Sequence, residues 1–269
     1  MKALLFAAAS AILIAVPAQA EDEFDGVYAG VSIGYDIQAG DGDEFITFDR
    51  GSNGSFGETV TTSAGANAFS PGFCGGAATS PQNANCVGDS DGVTFAGRVG
   101  YDNQMGKLVL GVVGEFGTAD VRDAVSAFST TPAFYYMERE IDYTAALRLR
   151  AGFTPAEKTL LYVTGGLAYA KLDQDFETSN TANSFTVIPD EDAWGYQIGA
   201  GIEQKIGKNF SLGVEYLYTG YNDDNTLIRV GQGTAGATNP FVLAGGVDFK
   251  RANDDFNIQT IKAVATFRF

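Results

Sequence analysis

From Val27 onward the chain alternates between apolar and small or polar residues. Val27, Ala29, Val31, Ile33 and Tyr35 form one set, and Tyr28, Gly30, Ser32, Gly34 and Asp36 form the other. Side chains of a β-strand point to opposite faces in turn, so this period of two predicts a strand with one apolar face. The same pattern recurs where Val93, Phe95, Gly97, Val99 and Tyr101 oppose Thr94, Ala96, Arg98 and Gly100. It recurs again where Ile141, Tyr143, Ala145, Leu147, Leu149, Ala151 and Phe153 oppose Asp142, Thr144, Arg148, Arg150 and Gly152. Eight strands are expected, over 27–36, 93–101, 108–117, 141–153, 160–171, 194–206, 210–220 and 256–269.

Alternation alone does not say which face meets water. A soluble sandwich buries its apolar set; a membrane barrel turns that set to lipid and encloses the polar one. The connections discriminate. Those at 103–106, 154–158 and 207–209 are short, those at 39–90, 118–140, 172–192 and 221–255 are long, and the two kinds alternate strictly along the chain. Every short turn therefore lies on one rim and every long loop on the other, as in transmembrane barrels with short periplasmic turns and long extracellular loops. Loops beyond about 15 residues are rare in compact soluble domains. Strands of about ten residues tilted by about 40° also match the height of an apolar membrane band. The expected fold is all-β, an eight-stranded antiparallel up-and-down transmembrane barrel.

The amino terminus supports export. Met1 and Lys2 precede an apolar run from Ala3 to Val16, and Ala18, Gln19 and Ala20 present a small-x-small cleavage site. This predicts a signal peptide over 1–20, too short to span a bilayer, and a barrel domain over 21–269.

Composition narrows the chemistry. The 269 residues hold 17 Lys and Arg against 33 Asp and Glu, and no His, a formal charge of −16. Nucleic acid is a poor partner for so acidic a chain. Without His there is no Ser-His-Asp triad, Cys-His dyad or His-ligated zinc, so no enzyme activity and no cofactor are expected. If the apolar sets face lipid, the inward ionisable residues are Arg98, Glu115, Arg148, Arg150, Glu203, Glu215 and Lys262, four cations and three anions in one band. Charges in a narrow lumen are costly unless paired, so a plugging salt-bridge network is expected, with Glu115 on the strand beside Arg148 and Arg150 and Glu215 beside Lys262, which need not serve Glu215 alone because closure also brings the last strand against the first. A narrow or gated pore is the alternative.

Nearly all the excess negative charge falls in the four long connections. Asp173, Asp175, Asp190, Glu191, Asp192, Asp223 and Asp224 are the candidates there for holding Mg²⁺ or Ca²⁺ against anionic lipopolysaccharide, although no EF-hand spacing is present. Cys74 and Cys86 lie in the first long connection and, in an oxidising compartment, are expected to form a disulfide local to that loop.

The chain ends Lys262-Ala263-Val264-Ala265-Thr266-Phe267-Arg268-Phe269. With the preceding pattern, this resembles the small eight-stranded outer-membrane barrels of Gram-negative bacteria, the opacity-type or porin-like group common in alphaproteobacteria, over 25–269. In that family a polar residue and terminal aromatics are read by the barrel-assembly machinery; Lys262, Phe267 and Phe269 match, while Val264 stands where Gly is usual. The resemblance implies a monomeric structural protein of the outer membrane that presents surface loops, with a narrow porin or a surface adhesin as the other readings.

Overall fold

The computed structural model describes residues 23–38, 44–75, 77–78, 86, 88–223, 226–253 and 255–269. The expected signal peptide and Asp224 lie outside them. Fifteen strands and one short helix follow in order: β1 Gly26–Gln38, β2 Ile46–Arg50, β3 Gly72–Gly75, β4 Ala77–Ala78, β5 Gly92–Met105, β6 Leu108–Ala119, β7 Arg122–Ser129, β8 Ala133–Ala156, β9 Thr159–Thr178, β10 Ser184–Ile188, β11 Asp192–Lys205, β12 Phe210–Asn222, β13 Leu227–Gly231, α1 Pro240–Leu243, β14 Val247–Arg251 and β15 Asp255–Arg268.

Eight of these close a ring, β1-β5-β6-β8-β9-β11-β12-β15, each antiparallel to its neighbours, with β15 returning to β1 through pairs such as Ser32 with Val264. Closure leaves no unpaired strand edge inside a solvent that offers backbone groups no hydrogen bonds. The apolar sets point outward as expected: Leu147 and Leu149 are 59% and 72% exposed, and Arg148 between them is fully buried. Outward aromatics form two bands, Tyr101, Phe153, Phe210 and Phe267 toward the short turns and Phe116, Tyr143, Tyr169, Trp194 and Tyr196 toward the other rim. Such girdles mark the two faces of an outer membrane. Inside, Gly100 and Gly201 leave room for the rings of Tyr28 and Tyr162, which a Cβ at either position would strike.

Beyond the outer girdle the four long connections carry strands of their own. β8 and β9 continue as a paired hairpin up to Tyr135 and Thr178, and β7 adds to it, with β3 and β4 beyond. A second antiparallel sheet, ordered β10-β13-β14-β2, is assembled from the first, third and fourth connections. The two sheets sandwich an apolar core of Ile46, Phe48, Phe69, Val125, Tyr135, Met137, Ile228, Phe241 and Phe249. The connections thus build a cap with a hydrophobic centre of its own. Cys74, on β3, is bonded to Cys86 within this cap, their Cα atoms 5.9 Å apart.

Cap and barrel need opposite patterning, and β8 provides both. Between Ile141 and Tyr143 its pairing with β9 slips by one residue at Asp142. Above this bulge Tyr135, Met137, Arg139 and Ile141 point inward; below it Arg148 and Arg150 do. A one-residue shift moves every later side chain to the other face. Ile141, expected to face lipid with Tyr143, is therefore buried among Leu172, Ala193, Phe256 and Ile258.

The lipid-facing assignment predicts that Leu147→Arg destabilises the inserted barrel by about 2–4 kcal/mol. Urea unfolding in lipid vesicles measures it, and a Val163→Asp variant is expected to lose refolding yield in the same assay.

Candidate functional site

The barrel interior carries successive tiers of buried side chains, beginning at the short-turn rim. There Phe24 lies inside the mouth, fully buried against Val109, Leu160 and Tyr162. Its N–H donates to Gln104 Oε1 at 2.8 Å, and its carbonyl accepts from Arg268 Nη1 at 2.9 Å. Lys205 Nζ holds the adjoining Glu23 at 2.8 Å.

Above this stopper lies a tier of Asp102, Arg150, Glu203 and Arg268. Arg268 Nη2 is 2.9 Å from Asp102 Oδ2, Arg150 Nη1 is 3.4 Å from the same oxygen, and Arg150 also pairs with Glu203. Ser211 Oγ donates to Glu203 Oε1 at 2.6 Å. The Arg150 guanidinium stacks 4.0 Å from the Tyr162 ring centre, and that of Arg268 4.8 Å from Tyr28. The next tier joins strands across the lumen. Arg98 reaches Glu115 at 2.5 Å and Glu215 at 3.0 Å, and Arg148 reaches the same two carboxylates, each at 3.2 Å. Lys262 closes on Glu115 at 2.5 Å, and Tyr162 Oη donates to Glu215 Oε2 at 2.8 Å.

All seven expected lumen residues are thus brought inside, in two tiers where one band was expected. Lys262 sits opposite Glu215 in the ladder, as expected, and turns to Glu115, while Arg98 and Arg148 each bridge both carboxylates; Arg150 pairs with Glu203 and leaves Glu115 to its neighbours. Asp102 and Arg268 went unrecognised, although each shares the face parity of an inward residue, Arg98 and Lys262 respectively. Over the network a cavity of about 20 Å³, lined by polar groups including Asp36, Thr94, Gln197 and Thr260, has room for about one water. Ile141, Tyr221 and Ile258 also line it and pack with Leu172 and Phe256 in an apolar cluster.

A further buried cluster, unforeseen in the sequence, ties the barrel to the cap. Arg251 of β14 binds Glu44 at 2.7 Å and Asp123 of β7 at 3.2 Å; Arg139 of β8 binds Asp123 at 2.6 Å and Asp223 at 3.0 Å. Asp89 accepts the Ala124 N–H at 3.0 Å and faces Asp123. Three carboxylates share two guanidinium groups, with Asp89 beside them. Burial raises the Glu44 carboxyl to about 7, more than Arg251 offsets, and it raises Asp89 too. Burial also works against Asp123, but Arg251 and Arg139 outweigh it and hold that carboxyl at about 2.

The remaining candidates lie elsewhere. Phe267 and Phe269 stack edge to face on the lipid side, 5.2 Å apart. Glu191 and Asp192 are neutralised by Lys171, Asp190 accepts the Asp192 N–H, and Asp223 is buried on Arg139. Among the described residues no three or more His, Cys, Asp or Glu side chains converge to hold a metal. The candidates Asp190, Glu191, Asp192 and Asp223 are thus not drawn to one point: Lys171 serves Glu191 and Asp192, a backbone N–H serves Asp190 and Arg139 serves Asp223.

Two outcomes follow. Glu115→Ala strands Lys262, leaves Arg98 and Arg148 with Glu215 alone, and is expected to cost about 3–5 kcal/mol in urea unfolding. Glu44, raised above its unfolded value of 4.5, contributes stability that is complete below that value and is lost as pH rises through about 7. Protease resistance of the cap should therefore fall between mildly acidic and mildly alkaline pH, and Glu44→Gln should flatten that change.

The family described as outer membrane protein beta-barrel domain matches residues 6–269. The chain is 34% identical over 128 residues to the 31 kDa outer-membrane immunogenic protein of Brucella melitensis biotype 1, covering 46% of this chain and 53% of that protein. It is 29% identical over 158 residues to the 22 kDa outer membrane protein of Rhizobium leguminosarum bv. viciae, covering 58% and 66%. The chain thus spans about half the length of the Brucella relative. Among solved structures, Ail, the attachment invasion locus protein of Yersinia pestis, aligns over 91% of this chain and 99% of its own at 13% identity, with a TM-score of 0.34. The outer membrane protease OmpT of Escherichia coli aligns over 93% and 99% at 10% identity, with a TM-score of 0.36. On the match across nearly its whole length, the chain belongs to the outer membrane protein beta-barrel domain family and is a protein of the bacterial outer membrane.

Proposed function

We propose that this protein is a structural barrel: it contributes to envelope integrity, holds its lumen closed with a charge network, and presents a folded acidic cap at the cell surface. One observation carries the reading. Arg98, Arg148 and Lys262 meet Glu115 and Glu215 across the barrel axis, all buried and mutually paired. Eight strands leave an interior that side chains fill, unlike the channel of a larger porin. The Phe24 stopper below and the apolar cluster above act in the same sense.

The same features argue against catalysis. A general acid or base needs access to substrate, and these carboxylates are engaged by cations in a closed interior. The chain acts as a monomer without a cofactor. Its leader is removed after Ala20, and Lys262, Phe267 and Phe269 serve as the signal to the assembly machinery. Its outer partners are lipid and lipopolysaccharide, with divalent cations bridging exposed carboxylates such as Asp173 and Asp175. A surface-interaction role is the second reading, favoured by a cap whose separate core exceeds what membrane insertion requires.

Planar-bilayer recording of the refolded chain from Glu21 tests the main reading. The parent is expected to be electrically silent, and the double variant Arg148→Ala, Arg150→Ala to pass ions. Discrete conductance steps from the parent, altered by that variant, would instead make these arginines the lining of a pore.

A further inference from the structure

On the outer face of the cap hairpin, an aromatic groove lies directly above a run of carboxylates. At the tip, Phe128, Phe134 and Tyr136 point outward and, with Pro71 and Pro132, line a groove of about 780 Å³. Phe128 and Phe134 are cross-strand partners, and Phe134 is 39% exposed. The opposite face of these strands supplies the cap core through Val125, Ala127, Tyr135 and Met137, so the groove aromatics contribute nothing to that core. Toward the membrane, Glu177 lies opposite Tyr136, Asp175 opposite Glu138 and Asp173 opposite Glu140. Like charges directly across a strand pair destabilise a sheet. Arg122 offsets Glu138 and Glu140, at 3.2 Å and 2.7 Å. Asp173, Asp175 and Glu177 stand one strand further away and are exposed.

We propose that this face docks a cationic amphipathic peptide, with its apolar side chains in the groove and its Lys or Arg side chains over Asp173, Asp175 and Glu177. Charge selects the occupant. A second copy would bring the same acidic ladder and be repelled, and so would an anionic partner. A neutral apolar molecule would fill the groove and leave the like-charge pairs uncompensated. A bare divalent cation would ignore the groove, and no convergent ligand set awaits it among the described residues. A cationic amphiphile satisfies both halves, and its cations gain further from the electron-rich faces of Phe134 and Tyr136. Docking here does not depend on whether the lumen conducts.

The test uses the mature chain in nanodiscs of phosphatidylcholine, whose zwitterionic surface does not recruit cations, with empty nanodiscs subtracted. The probe is a fluorescein-labelled Lys/Leu amphipathic peptide read by anisotropy. One control peptide replaces Leu by Ser and keeps the charge; another replaces Lys by Gln and keeps the apolar face. The parent is expected to bind the probe saturably, more weakly as salt rises, and to bind each control about tenfold less. The double variant Asp175→Asn, Glu177→Gln and the single variant Phe134→Ser are each expected to lose about as much. Both should retain the folded, heat-modifiable band of the parent on gels.

Several results overturn the proposal. Equal affinity for parent and variants places binding elsewhere. Undiminished binding of the Ser control reduces the face to a nonspecific acidic surface. Undiminished binding of the Gln control makes the groove a site for neutral apolar ligands. Absence of binding removes the site, and a stable dimer that excludes the probe assigns the face to a second copy.

Discussion

A bilayer core offers no hydrogen-bond partner, and this constraint orders the molecule. It requires the strands to close, so that β15 meets β1 and no backbone edge is left in lipid. Closure at eight strands then makes the interior so narrow that enclosed charges cannot keep a water shell. Each must find a partner within reach, and Glu115 finds three in Arg98, Arg148 and Lys262. The network is thus the condition under which an inward charged set is tolerable, and it also cross-ties strands far apart in sequence. Buried pairs of this kind need not add net stability over apolar packing, but losing one member leaves its partners stranded.

Past the outer girdle the solvent becomes water and the rules reverse. The inner faces of β8 and β9 carry Met137, Leu172 and Phe176, and the outer faces carry Glu138, Asp173 and Glu177. β9 manages the change by composition at constant parity, whereas β8 changes parity at Asp142. Between the two regimes Arg139 and Arg251 hold Asp123, Asp223 and Glu44, drawing together residues from three connections. Burial at this junction, more than Arg251 offsets, raises Glu44 to about 7, so the neck responds to pH near neutrality.

Much of the barrel was legible because lipid selects a strict period of two that survives in the sequence. Leu147, Arg148, Leu149 and Arg150 declare their faces without reference to any other residue. Partner choice was not legible, because ladder position does not fix where a long side chain ends: Lys262 lies opposite Glu215 but reaches Glu115. Asp102 and Arg268 had the right parity but stood beside a turn and a terminus. The cap strands were hidden for another reason. β2 and β14 are five-residue runs that pair with each other across about two hundred residues of chain, and β14 meets its other partner, β13, only beyond the long connection 232–246, so no tight turn announces either. Nor does any Gly or Pro at Asp142 mark the bulge.

That bulge also governs how the molecule can be rebuilt. A foreign strand spliced onto β8 would inherit its inside and outside from the residue at which it is joined. Joined above Asp142, its parity would follow the cap; joined below, with the extra residue lost, the same strand would turn its inner face outward. Asp142 is thus a phase boundary at which a surface module can be exchanged without re-indexing the membrane-embedded strand beneath it.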